Sequence, residues 1–201
     1  NKKSQNKHVR IDLFNEARRT VYNLVYEHPI YSVGSENEPV NIMVLGAGSY
    51  GLEFAKAAAW CSQMISKKFV IKLFDKQNKE NSIGFPFARL SKNLNEIGTS
   101  LDAAFVFCDV FSEEFESLCF ENTDYVFIDL GDDEMNIKAA LLVRMIYSRK
   151  ASVLSDRNVH ASMPKTVIRI RNAETKKIVE ALDDTNIIPY GTFEDVFSGS
   201  S

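Results

Sequence analysis

The residues that could do chemistry begin with Gly46-Ala47-Gly48-Ser49-Tyr50-Gly51. Glycines at the first, third and sixth positions suit a backbone that must come close to phosphate. Gly46 permits a tight turn, Gly48 lets main chain approach a pyrophosphate, and Gly51 lets the following helix pack against the preceding strand. The flanks agree with that chemistry. Asn41-Ile42-Met43-Val44-Leu45 reads as a strand buried on both faces. Leu52 through Trp60 is a run of good helix formers without a breaker. A helix starting there aims unpaired N–H groups and the positive end of its dipole at an anion. No Lys-Ser or Lys-Thr pair follows the turn, which excludes a P-loop.

Acidic residues at the ends of later apolar runs extend the candidate site. Asp75 closes Phe69–Phe74, where a carboxylate can accept the hydroxyls of an adenosine ribose and repel a 2′-phosphate. That favours NAD over NADP, against the neighbouring positive charge of Lys76. The alternative role for Asp75 is to cap the next turn. Asp109 closes Ala104–Cys108 and, with the backbone of Val110, would stand beside an adenine; it too could serve as a cap, although Ser112 is the better N-cap for a helix opening at 112–114. Gly131-Asp132-Asp133-Glu134 opens a further helix. Asp132 can cap that helix, or the turn can wall a phosphate or ribose crevice.

Groups equipped for catalysis are few. His8 lies in a polar tail, His28 precedes Pro29, and His160, near Ser155-Asp156, falls in a loop. There is no GxSxG nucleophile elbow, and no cluster of His, Cys and carboxylates has metal-ligand spacing. Cys61, Cys108 and Cys119 form no CxxC pair, a usage expected of a reducing, cytoplasmic compartment.

Strands and helices that alternate must position these residues. Runs at 41–45, 69–74, 104–108, 124–129, 167–171 and 186–190 read as strands, with helices after 51, 131 and 174. The pattern predicts an α/β fold: a Rossmann-like, doubly wound, mainly parallel six-stranded sheet with helices on both faces. Apolar positions from Ile11 to Val25 predict a preceding helix, packed on the domain or used for association. The expected organisation is a tail, helix and connector over 1–38, a nucleotide-binding domain over 39–197 and a polar tail over 198–201. An insertion is expected at about 77–103, where Gly84-Phe85-Pro86-Phe87 breaks the pattern before a short helix at 90–94. The chain opens on Asn1, as expected of a piece of a longer protein. A net charge of −3 makes no electrostatic case for nucleic acid, and no apolar run approaches the ~20 residues needed to span a bilayer.

In order along the chain, these blocks resemble the TrkA-N, or RCK (regulator of potassium conductance), type of NAD-binding domain over roughly residues 40–193. The similarity rests on the glycine turn closed by Asp75, on Cys108-Asp109-Val110, and on Val126–Asp129 running into Leu130-Gly131-Asp132-Asp133-Glu134-Met135-Asn136. Val167-Ile168-Arg169-Ile170-Arg171-Asn172-Ala173-Glu174 and Ile187-Ile188-Pro189 complete it. The resemblance implies that Gly46, Ala47, Gly48, Ser49, Tyr50 and Gly51 surround the phosphates. Asp75, with Lys76 next to it, would hold the ribose, Asp109 and Val110 the base, and Gly131, Asp132 and Arg169 the far wall. Cys108 departs from the glycine usual in that family. Such domains bind nucleotides as regulatory ligands, commonly dimerise, and act on an attached output domain. The expected function is therefore a regulatory domain binding NAD(H) or a related adenine nucleotide without catalysis of its own. The alternatives are an NAD-dependent oxidoreductase whose substrate part lies elsewhere, and a ligand-free scaffold.

Overall fold

The computed structural model describes residues 15–34, 38–65, 67–77, 101–155, 163–182 and 186–197. Six strands, β1 (Val40–Leu45), β2 (Phe69–Asp75), β3 (Leu101–Phe107), β4 (Tyr125–Ile128), β5 (Lys165–Arg169) and β6 (Ile187–Tyr190), form one sheet. Every pairing is parallel, and the order is β3-β2-β1-β4-β5-β6. Two halves thus wind outward from β1, the order of a Rossmann-like sheet, with the reversal between β1 and β4. That reversal leaves a crevice beyond the carboxyl ends of the strands.

Side-chain alternation along the central strands divides the core into two layers. Val40, Ile42 and Val44 of β1, with Tyr125 and Phe127 of β4, face one side. Met43 and Leu45, with Val126 and Ile128, face the other. The first side is covered by α1 (Glu16–Glu27) and α2 (Ser49–Ile65). Phe54 of α2 stacks on Phe127 with centroids 4.5 Å apart and on Tyr125 at 5.5 Å, which seats the glycine helix over β4. The second side is covered by α3 (Phe115–Leu118), α4 (Asp133–Ser155) and α5 (Ala173–Glu180). A short α6 (Phe193–Phe197) follows β6 and touches α1.

Helix α1 buries Ala17, Thr20, Val21 and Leu24, so its apolar stripe packs on the domain, the first of the two expected uses. Asn15 caps it by accepting the amide hydrogen of Arg18 at 3.0 Å. Of the boundaries that differ from the expectation, three bear on the site. β3 begins at Leu101, taking in residues assigned to the insertion; the remainder of that segment, 78–100, lies outside the described residues, as does the helix expected at 90–94. β5 is shifted two residues earlier, because its ladder with β4 starts at Lys165; Arg171 therefore stands past the strand end. Ser112 caps no helix. Its hydroxyl donates to the Asp109 carbonyl at 2.8 Å, and α3 starts only at Phe115. Among the described residues, no helix is long and apolar enough to cross a membrane.

Candidate functional site

A cavity of about 510 Å³ opens at the carboxyl ends of the strands, at the β1/β4 reversal. Its volume falls in the range of small-molecule sites. The structure brings most of the expected residues to it: Gly46, Gly48, Ser49 and Tyr50 on one wall, Asp75, Lys76, Asp109 and Val110 on a second, Gly131 and Arg169 on the third.

The glycines of the turn are not equivalent. Gly46 has φ +104°, and a Cβ there would lie 2.0 Å from the carbonyl oxygen of Asp129. A Cβ on Gly51 would lie 1.9 Å from the Gly46 carbonyl oxygen. Both positions are thus closed to any other residue by the approach of β1, β4 and α2. At Gly48 the nearest atom to a Cβ is a carboxylate oxygen of Asp129 at 3.9 Å. Protein packing does not require that glycine; the space beside it belongs to the cavity. Ala47 and Gly51 do not line the cavity but hold its wall: Gly51 by close packing, Ala47 by donating its amide hydrogen to Asp75 Oδ2 at 2.9 Å.

The second wall is built from backbone caps. Asp75 ends β2, and its other oxygen accepts the amide of Gln77 at 2.8 Å, so the carboxylate clamps the glycine turn to the β2 end. Asp109 Oδ1 accepts the amide of Phe111 at 2.9 Å, while its carbonyl accepts the amide of Ser112. Both carboxylates make the turn contacts weighed as the alternative, and both also face the cavity. Phe111, which the sequence does not single out, stands there partly exposed.

The third wall is assembled from distant parts of the chain. Asp129 and Arg169, 8% and 7% exposed, end β4 and β5 side by side, with Arg169 Nη1 3.5 Å from Asp129 Oδ1. The guanidinium carbon lies 3.4 Å from the centroid of the Tyr50 ring, a stacked cation–π contact. Among the described residues Arg169 Nε is buried without a hydrogen-bond partner. Gly191 (φ +117°) makes room behind it, since a Cβ there would meet Arg169 Cγ at 2.9 Å. Asn136 latches the two strand ends, its side chain accepting the Leu130 amide and donating to the Arg169 carbonyl, each at 2.7 Å.

Tyr50 in turn donates its hydroxyl to Glu16 Oε1 at 2.6 Å, and Glu16 also borders the cavity. Burial and the Glu16 hydrogen bond hold the Tyr50 phenol above its ordinary pKa, so it remains the donor. Asp132 does not line the cavity. It caps α4, its Oδ1 accepting the Met135 amide at 3.1 Å. Asp133 accepts the amides of Arg171 and Asn172, tying α4 to the loop after β5. His160 and Asp156, weighed for catalysis, lie outside the described residues. Glu16, Phe111 and Asp129 are among the cavity residues that sequence reading missed. Only the place of Asp129 at a strand end could have signalled its role.

No family model matches the chain, and neither a curated protein nor a solved structure matches it.

Proposed function

We propose that the chain is a regulatory domain that binds NAD(H) or a related adenine nucleotide in this cavity. The observation carrying the reading is the glycine turn itself. Gly46 and Gly51 are required by packing, whereas Gly48 keeps open a space beside the α2 N-terminus that the protein does not fill. A pyrophosphate placed there meets the first-turn amides of a 17-residue helix and the guanidinium of Arg169. Asp75 then receives the ribose hydroxyls, and the base lies toward Asp109, Val110 and Phe111. A carboxylate at the ribose favours NAD over NADP.

The resemblance to TrkA-N/RCK domains supports the regulatory reading, in which the nucleotide biases a homodimer or an attached output domain. Three free cysteines suit a cytoplasmic setting. Calorimetric titration of wild type and Asp75→Ala with NAD, NADH, NADP, AMP, ADP and ATP tests the proposal. The expected result is binding of NAD or another adenine nucleotide by wild type, weakened about tenfold in the variant by loss of the ribose contact. Absence of binding by all six would sink it. Equal affinity for NADP and NAD would remove the ribose role of Asp75.

A further inference from the structure

Helix α1 precedes the nucleotide fold, yet it delivers a carboxylate to the cavity. Glu16 lies in its first turn and accepts the hydroxyl hydrogen of Tyr50 at 2.6 Å. Tyr50 is the second residue of α2, and its ring carries the Arg169 guanidinium 3.4 Å from the ring centroid. Glu16, Tyr50 and Arg169 all border the same space. On the other side of Arg169 stands Asp129, 3.5 Å from Nη1. Arg169 is therefore already paired with Asp129 and stacked on the ring whose hydroxyl Glu16 accepts, while its buried Nε has no partner among the described residues. An anion entering here gains a helix terminus and a guanidinium but lies one aromatic ring away from a fixed negative charge. Such an arrangement weighs the charge of what enters, because like-charge repulsion grows with each added charge.

We propose that Glu16 sets the charge specificity of the cavity: its carboxylate, held beside the phosphate subsite through Tyr50, admits the internal pyrophosphate of a dinucleotide and disfavours the terminal phosphate of a nucleoside di- or triphosphate. Each phosphorus of an internal pyrophosphate carries a single charge, whereas a terminal phosphate carries up to two at neutral pH. This inference rests on the nucleotide reading above and names the ligand class within it.

The test is the ratio of ATP to NAD dissociation constants for the full chain, in wild type, Glu16→Gln and Glu16→Asp, at low and at high salt. Gln keeps an oxygen that can accept the Tyr50 hydroxyl, so α1 stays docked while the charge is removed. We expect Glu16→Gln to lower the ratio about fivefold, through tighter ATP binding, with less effect at high salt where the partly exposed charge is screened. Glu16→Asp, which retains the charge on a side chain one methylene shorter, should shift the ratio less than Glu16→Gln does. Tyr50→Phe supplies a second route, because it releases the carboxylate from its tether and should shift the ratio in the same direction as Gln. An unchanged ratio in both Glu16→Gln and Tyr50→Phe, with nucleotide still bound, overturns the role of Glu16 and leaves the nucleotide reading intact. Failure of wild type to bind either nucleotide overturns both.

Discussion

The two acidic walls of the cavity are built on opposite principles. At the ends of β2 and β3, Asp75 and Asp109 accept backbone amides, all but one from within two residues of themselves. At the ends of β4 and β5, Asp129 and Arg169 are held by side chains and by glycine-sized gaps contributed from residues 16, 50, 136 and 191. A wall of local caps tolerates loss of one member, since water can replace a lost partner at an exposed turn. A wall made of one interlocked cluster cannot do so, because removing Asp129 or Arg169 leaves the other buried and unpaired.

The contrast is sharpest at the glycines that join the two walls. Gly46→Ala forces a Cβ to 2.0 Å from the Asp129 carbonyl oxygen at a φ of +104°, and should cost about 3 kcal/mol or more in chemical denaturation. Gly48→Ala, with 3.9 Å of clearance, should leave stability within about 0.5 kcal/mol of wild type while weakening nucleotide binding about tenfold. A Gly48→Ala variant as unstable as Gly46→Ala would show that both glycines serve packing alone.

Next in size is Arg169→Met. It leaves Asp129 buried without its cation and removes the stack on Tyr50, yet it also removes the unpartnered Nε. Because the ion pair is long, the net loss should be about 2 kcal/mol, below that for a tight buried pair. Adding Asp129→Asn should recover at least about half of that loss in a double-mutant cycle. Additive single effects would mean that the two residues do not form one unit.

Asp109→Ala, on the capped wall, should cost only about 1 kcal/mol, read from the same denaturation curves. A loss equal to that of Arg169→Met would erase the distinction between the walls.

The smallest effect lies away from both walls. Burial, with the positive charge of Lys165, lowers the pKa of half-buried His28 from its ordinary 6.5. The folded state therefore binds this proton less readily than the unfolded chain. Stability is fully present above pH 6.5 and declines as pH falls through 6.5 toward the lowered value. After solvent screening the change should be no more than about 0.5 kcal/mol, and His28→Gln should abolish it in melting curves taken across that range.

Much of the capped half was legible beforehand, because caps and turns are decided by neighbours in sequence. The glycine spacing, the apolar run of β1 and Asp75 at the end of β2 were all readable as local chemistry, as was the Rossmann-like alternation of strands and helices. Ser112 shows the limit even there. A good capping residue was recruited instead by the Asp109 turn, and the helix began three residues later. The early start of β5 had a different cause: register with β4 outweighed the apolar pattern of 167–171.

By itself the sequence determined the parallel α/β architecture, the strand-turn-helix unit at 46–51 and the acidic residues at strand ends. Periodicity, glycine spacing and capping act over a few residues, and their information is complete within that span. Only the tertiary structure decided that Glu16, Tyr50, Asp129 and Arg169 meet, that Gly48 is spared by packing while Gly46 is not, and that Asp132 faces its own helix. Those outcomes depend on which strand ends lie side by side after the sheet has wound both ways from β1. Contacts between residues distant in sequence have no local signature, because the chain between them sets only that they can approach, not where they stop.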